Sequence, residues 1–254
     1  MNRFLEIGDV PSDAVLVDAR AHDQFQAGHL PGARHAEFMD KFLIRTPDQR
    51  QALNDAVQRL ARGLGLRGGE RVVVYDAGRD VRAARLAWAL EYAHFQVALL
   101  RHGLIGYAGA LETDDTAVQH SDFTLEHPRA ELLATAEDIL ERSANTIVVD
   151  ARAVEEYSGE KPIPGSSRAG HIPGALNLDW QRLTDADGIA DDAALARELE
   201  AIPADADVIV HCQSGARSSV VYHALSASGR TVRNYLGSMN EWGGDEALPL
   251  EKDG

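Results

Sequence analysis

Residues 16–25, LVDARAHDQF, are matched by residues 148–157, VVDARAVEEY. Further along, AGHLPGAR (27–34) is matched by AGHIPGAL (169–176), and ERVVVYDAGRDVRAARLAWAL (70–90) by ADVIVHCQSGARSSVVYHAL (206–225). The offsets are nearly constant: 132 residues from Asp18 to Asp150, 142 from Gly28 to Gly170 and 136 from Asp76 to Cys212. Three matches in one order at one approximate spacing mean a duplicated domain. The longer middle offset places an insertion of about ten residues near SGEKPIPGSSR (158–168), because insertions fall in surface connections.

Each copy has the same layout. A short aliphatic run reaches an Asp (VLVD, IVVD), then come a short helix, a His-X-Pro-Gly turn and a longer helix. A second strand (VVVY, VIVH) leads into another helix (VRAARLAWAL, SSVVYHALSASG), and a third strand follows (QVALL, TVRNYL). Apolar strands alternating with helices predict an α/β fold of two tandem domains, each a mainly parallel sheet flanked by helices. The expected boundaries are 1–112 for the first domain, 113–130 for a linker and 131–254 for the second. The stretch TDDTAVQHSDFTLEHPRA (113–130) is polar, is broken by Pro128 and has no clear period, which reads as a linker.

Composition narrows the function classes. A chain of 254 residues that is 44% hydrophobic can bury real cores and is not intrinsically disordered. Cys212 is the only cysteine, which excludes a disulfide scaffold. No apolar run approaches the ~18–20 residues of a membrane span. The start, MNRFLEIGDVPSD, has no basic stretch followed by an apolar one, so a soluble cytoplasmic protein is expected. The net charge of −15 argues against nucleic-acid binding. That charge is uneven: residues 1–120 hold 14 Lys and Arg against 16 Asp and Glu, and residues 121–254 hold 11 against 24.

In open α/β sheets, ligands sit beyond the C-terminal ends of the strands. In the second copy that end reads His211-Cys212-Gln213-Ser214-Gly215-Ala216-Arg217. A lone intracellular cysteine is most often a small buried hydrophobe. A polar, turn-forming run directly after a strand-terminal cysteine points instead to a nucleophile. The reactive species is the thiolate, and a free thiol has a pKa of ~8.5. Backbone N–H groups curled around the sulfur at a helix N-terminus stabilise its negative charge, and Gly215 permits the curl. In the first copy Asp76 stands in the cysteine's place, and a carboxylate cannot carry a transferable sulfur. A haloacid-dehalogenase-like nucleophile needs Asp-X-Asp, but Gly78 occupies the third position, so Asp76 reads as a loop residue or helix cap.

The chain resembles the tandem-domain rhodaneses, a sulfurtransferase family that includes thiosulfate and 3-mercaptopyruvate sulfurtransferases. The carriers are the Asp-Ala-Arg starts (18–20 and 150–152), the Gly-His-Ile-Pro-Gly-Ala turn (170–175), the Cys212 loop, and the tail Tyr235-Leu-Gly-Ser-Met-Asn-Glu-Trp-Gly243. The resemblance implies an inactive first copy and a catalytic second copy. It implies that Cys212 takes a sulfur from a small donor and passes it to cyanide or a thiol, with ping-pong kinetics and no metal or organic cofactor. A monomer, free of nucleic acid and membrane, is expected. Cysteine phosphatases of related fold carry Arg six positions after the Cys; here Arg217 is five positions after Cys212, a smaller ring suited to one sulfur atom. A persulfide carrier that delivers sulfur to a partner stays open beside the enzyme.

The resemblance also suggests which residues accompany Cys212. Gln213, Ser214, Gly215, Ala216 and Arg217 form the loop. Arg168 has no counterpart in the first copy and is the expected anion contact. Arg152 and Asp150 lie at the strand end, but they recur as Arg20 and Asp18, which favours a structural role. His171 recurs as His29 and reads as a fold determinant, while His211 suits either chemistry. Trp242 either packs beside the sulfur or fills core. Glu156 stands where the mercaptopyruvate-using members have an Arg, so thiosulfate is the expected donor, with 3-mercaptopyruvate the alternative.

Overall fold

The computed structural model describes residues 2–252. The first copy runs β1 (Phe4–Leu5), β2 (Val15–Asp18), α1 (His22–Ala27), β3 (Arg34–His35), α2 (Pro47–Gly63), β4 (Arg71–Tyr75), α3 (Arg82–Tyr92) and β5 (Gln96–Leu100). The second runs α4 (Ala136–Leu140), β6 (Thr146–Asp150), α5 (Val154–Ser158), β7 (Leu176–Asn177), β8 (Thr184–Asp185), β9 (Gly188–Ile189), α6 (Asp192–Glu198), β10 (Asp207–His211), α7 (Ala216–Ala227), β11 (Thr231–Asn234) and α8 (Ser238–Trp242). One parallel sheet has the order β1-β5-β4-β2-β3 and the other β11-β10-β6-β7. The short β8–β9 hairpin is antiparallel.

The unbroken valine runs of β4 and β10 follow from burial on both faces of a parallel sheet. Val72, Val73, Val74, Val208, Ile209 and Val210 are fully buried. Helix α3 packs on β4 and β5, and α7 on β10 and β11. Among the described residues no helix is long and apolar enough to cross a membrane.

The duplication extends to single hydrogen bonds. Arg20 Nε donates to Asp18 Oδ1 at 3.0 Å, and its Nη2 reaches Asp18 Oδ2 at 2.6 Å and the Gly28 carbonyl at 2.7 Å. Arg152 repeats the pattern with Asp150 at 3.0 and 2.6 Å and the Gly170 carbonyl at 2.9 Å. The His29 ring stacks on Phe25 at 3.7 Å, and the His171 ring on Tyr157 at 3.8 Å. His29 bridges to Glu112 as His171 does to Glu251, so each copy ends in the same short return of chain. That return fixes a glycine: at Gly170, with φ +114°, an added Cβ would lie 2.0 Å from the Glu251 carbonyl oxygen.

The division into units differs from a simple cut between the copies. One compact unit comprises the chain up to Asp40, Ala52–Ala130 and Thr184–Ala190; the other comprises Lys41–Gln51, Glu131–Leu183 and the chain from Asp191. The stretch 113–130, expected to be a linker, belongs to the first unit. Its polar groups bond that unit's backbone: Thr116 Oγ1 donates to the Ala33 carbonyl at 2.7 Å, Ser121 N to Arg62 O at 3.1 Å and Arg129 N to Tyr92 O at 2.9 Å. The β8–β9 hairpin joins the first unit through Ile189 N and the Arg101 carbonyl at 2.9 Å. Segment 41–51 joins the second, where the backbone N–H of fully buried Ile44 donates to Glu241 Oε2 at 2.7 Å. The expected domain ends at Met1 and Gly254 lie outside the described residues.

Arg152→Ala leaves the buried Asp150 carboxylate without its cation, and it is expected to cost about 3–5 kcal/mol in urea unfolding. Arg20→Ala is expected to cost less, because Arg20 is 9% exposed against 1% for Arg152. A cost below about 1 kcal/mol at Arg152 would show that the pair is dispensable.

Candidate active site at the Cys212 loop

Strand β10 ends at His211, which pairs in register with Asp150 at the end of β6. The chain then turns through Cys212-Gln213-Ser214-Gly215 into α7. Gly215 caps that helix with φ +87° and ψ −5°, a left-handed conformation in which a side chain is strained. This turn brings the Gly215 N–H to the Cys212 sulfur at 3.1 Å.

Two sets of bonds hold the loop in shape. On the α7 side, Ser219 Oγ donates to the Gly215 carbonyl at 2.7 Å. Asn234 Nδ2 donates to Ser219 Oγ at 3.1 Å, and Ser218 Oγ to Asn234 Oδ1 at 2.8 Å. On the α8 side, Cys212 N donates to Ser238 Oγ at 3.2 Å, Met239 N to Cys212 O at 3.1 Å, and Asn240 N to Gln213 O at 3.0 Å. Gln213 Nε2 adds a bond to Asn240 Oδ1 at 2.6 Å. The tail motif therefore acts as the floor of the loop.

Cys212 is almost wholly buried. Burial is the largest influence on its thiol and raises the pKa. It is outweighed by the Arg217 charge, the backbone N–H groups of Ser218 and Ser214 and the Ser218 hydroxyl, so the pKa lies below that of an ordinary thiol. Arg217 is itself held by a two-pronged ion pair with Glu156, at 2.5 and 3.0 Å. For Glu156 too burial is the largest influence and acts upward, but the Arg217 hydrogen bonds and charge bring its carboxyl below the usual range. His211 is fully buried, and burial foremost lowers its pKa despite Asp150 Oδ2 at 3.7 Å. A neutral imidazole is the form this environment favours.

The same loop in the first copy has a different occupant. Asp76 accepts from Gly78 N at 2.8 Å and Ala83 N at 3.0 Å, so the amides that face sulfur in one copy hold a carboxylate in the other. Burial pushes the Asp76 pKa up to about 7 against those two bonds.

The structure gathers Gln213, Ser214, Gly215, Ala216 and Arg217 around Cys212. It corrects the expectation for Arg168 and takes Asp150, Arg152 and Trp242 out of the mouth of the site. Arg168, read as an anion contact, directs its guanidinium at the carbonyls of Trp242, Gly243, Asp245 and Leu248 and clamps the tail. Asp150 and Arg152, which are fully buried and bonded to each other, brace the strand end rather than line the mouth. Trp242 is fully buried, donates to the Pro249 carbonyl at 2.8 Å and meets Tyr235 edge-on, so it fills core. Sequence reasoning missed Asn234, Ser218, Ser219, Ser238 and Asn240 as loop supports, and Glu156 as the partner of Arg217. Glu156 lies 61 residues from Arg217, and only its place in the short helix after the Asp-Ala-Arg start hinted at a role. Among the described residues no three His, Cys, Asp or Glu side chains group as metal ligands.

A family model described as the rhodanese-like domain matches residues 5–110 and again 133–245. The chain is 34% identical to a thiosulfate sulfurtransferase of Pseudomonas aeruginosa over 94% of its own length and 91% of that protein's. It is 28% identical to the sulfur carrier protein TtuD of Thermus thermophilus over 90% and 87%. The crystal structure of a probable thiosulfate sulfurtransferase superposes with a TM-score of 0.79 at 34% identity, covering 96% of this chain and 99% of that one.

The Asp76 carboxyl gives a pH signature. Its folded pKa, about 7, lies above the ordinary value of 3.8, so the native state holds a proton that the unfolded state has released between those pH values. Stability from this group is full below pH ~4 and is lost as pH rises through ~7, a loss of about 4 kcal/mol. Urea unfolding of the wild type from pH 4.5 to 8 should show that loss, and Asp76→Asn should not. Parallel curves for the two proteins would refute the assignment.

Proposed function

The chain belongs to the rhodanese family, and we propose that within it this protein moves a sulfane sulfur from thiosulfate to cyanide or a thiol acceptor through a persulfide on Cys212. The observation that carries the reading is the Cys212 sulfur itself, which accepts the Gly215 N–H at 3.1 Å and lies under the charge of Arg217. That environment raises the thiolate fraction above that of an ordinary thiol.

The thiolate attacks the outer sulfur of thiosulfate. A bond forms between Sγ and that sulfur, the donor's S–S bond breaks, and sulfite leaves with the electron pair. Cyanide carbon then attacks the terminal sulfur, the Sγ–S bond breaks, and thiocyanate departs as the thiolate returns. Neither step moves a proton, so neutral, buried His211 is not needed as a base. The loop amides take up negative charge on either sulfur without rearranging. The first copy, with Asp76 in the cradle, has no nucleophilic sulfur.

A second reading, a persulfide carrier that hands sulfur to a protein acceptor, is favoured by one fact. Cys212 is the only cysteine, so no internal thiol can resolve the persulfide. The resemblance to a named sulfur carrier supports the same reading. A free catalytic thiol suits a reducing compartment, which supports the cytoplasm as its place.

Incubation with thiosulfate is expected to add the mass of one sulfur atom to the wild type, cyanide to remove it, and Cys212→Ser to prevent it. Intact-protein mass spectrometry reads all three. A sulfur adduct on the Ser variant would overturn the assignment of the nucleophile.

A further inference from the structure

The three arginines nearest in sequence to the site motifs all have partners. Arg152 is bonded to Asp150, Arg168 to tail carbonyls, and Arg217 to Glu156. Residues 213–216 of the loop carry no Lys or Arg. With Cys212 as thiolate, the group Cys212–Arg217–Glu156 carries one net negative charge. A donor therefore meets a guanidinium whose charge is already matched, beside a carboxylate that is only half-buried.

The chain contains its own control. Glu156 and Gln24 occupy the same third position of the short helix after an Ala cap, and each turns back to the cap N–H, at 3.4 and 3.3 Å. Arg217 directly precedes Ser218, whose N–H faces the Cys212 sulfur, as Arg82 directly precedes Ala83, whose N–H faces the Asp76 carboxylate. Where the cysteine is absent, the matching arginine pairs instead with Asp80 at 3.1 Å and Glu37 at 3.7 Å, and Gln24 carries no charge. The Asp–Arg clamp, by contrast, is kept in both copies. The Glu156–Arg217 pair thus accompanies the chemistry and not the fold.

We infer that Glu156 determines donor specificity: its carboxylate on Arg217 makes the site favour a sulfane-sulfur donor of single negative charge over a dianion. This rests on the proposed sulfur transfer at Cys212, in which thiosulfate remains a donor, and ranks thiosulfate below a donor of single charge at that site. Glu156 acts through Arg217 as a positioning residue. It fixes the guanidinium by two bonds and offsets its charge, so the second negative charge of a donor such as thiosulfate is left uncompensated.

Thiosulfate and methanethiosulfonate test this. They deliver the same outer sulfur to Cys212 with the same bond broken, one releasing sulfite and the other methanesulfinate. They differ in an oxygen anion against a methyl group. One unit charge held about 6–8 Å from a carboxylate, at an effective dielectric constant of about 40, changes binding by about tenfold. The wild type is therefore expected to show a kcat/KM for methanethiosulfonate about tenfold above that for thiosulfate after correction for the donors' reactivity with a free thiol. Glu156→Gln is expected to lower the thiosulfate KM about thirtyfold and the methanethiosulfonate KM about threefold, so that the tenfold preference disappears, with kcat little changed. Glu156→Asp, which keeps the charge, is expected to keep the wild-type ratio. If Glu156→Gln fails to fold, the wild type alone decides: added salt should raise the thiosulfate-to-methanethiosulfonate ratio of kcat/KM. A ratio unmoved by Glu156→Gln, or one that falls with salt, overturns the inference alone. A wild type that takes sulfur from neither donor overturns the proposed function and the inference together.

Discussion

The clamp of Arg152 on Asp150 and the Gly170 carbonyl is the interaction from which the site takes its position. It fixes the end of β6 against the His-X-Pro-Gly turn, with the bond to Asp150 Oδ2 at 2.6 Å. Strand β10 lies beside β6 with His211 opposite Asp150. Cys212 is the next residue, so the sulfur is placed by a strand end that a buried ion pair holds rigid. Such a pair is expensive to desolvate and poor as a source of net stability. Its value here is geometric, and its repetition as Asp18–Arg20 in a copy with no cysteine shows that it serves the fold first.

The two loops then form a comparison within one chain. Both place an acidic group in a buried cradle of N–H donors at the start of a helix. Burial raises both pKa values, yet Asp76 ends above its ordinary value and Cys212 below. The difference is the cation. The Arg217 charge acts on the thiol, whereas Arg82, at the matching position in the first copy, is paired with Asp80 and Glu37, and what lowers the Asp76 pKa is the Ala83 and Gly78 N–H bonds. A cradle of amides alone therefore leaves its occupant above its ordinary pKa in this fold, and the cradle together with an arginine's charge brings it below.

The parts legible in the sequence were those carried by short-range pattern: the repeat, the strand–helix alternation, and the Cys212 loop with its glycine and closing arginine. The parts that were not legible depend on where long side chains end. Arg168 sits next to the Gly-His turn in sequence, but its guanidinium goes to tail carbonyls up to 80 residues away. Segment 41–51 reads as part of the first copy, yet Ile44 is anchored by Glu241, 197 residues on. The polarity of 113–130 is the ordinary mark of a linker, and here the same side chains and amides bond the unit they cross. None of these destinations has a periodic signature, because each is a single polar contact chosen by the tertiary fold.

The position of Arg217 also shows what the active copy gives up. It is the second residue of α7, at the end of the helix where the backbone dipole is positive. A cation there is disfavoured by about 0.3–1 kcal/mol, and a cation near a helix C-terminus would be favoured by as much. The same end of the helix attracts anions, which is why the cradle suits a thiolate or a persulfide. Arg217 adds to that attraction at a cost to the helix, and the Glu156 carboxylate, bonded at 2.5 and 3.0 Å, offsets the cost. The arrangement is a compromise between two needs. The sulfur requires positive potential to be a thiolate, and the helix terminus resists a bare cation. A carboxylate that satisfies the helix necessarily reduces the potential left for an anionic donor, so stability of the loop and affinity for a dianion are opposed through one side chain.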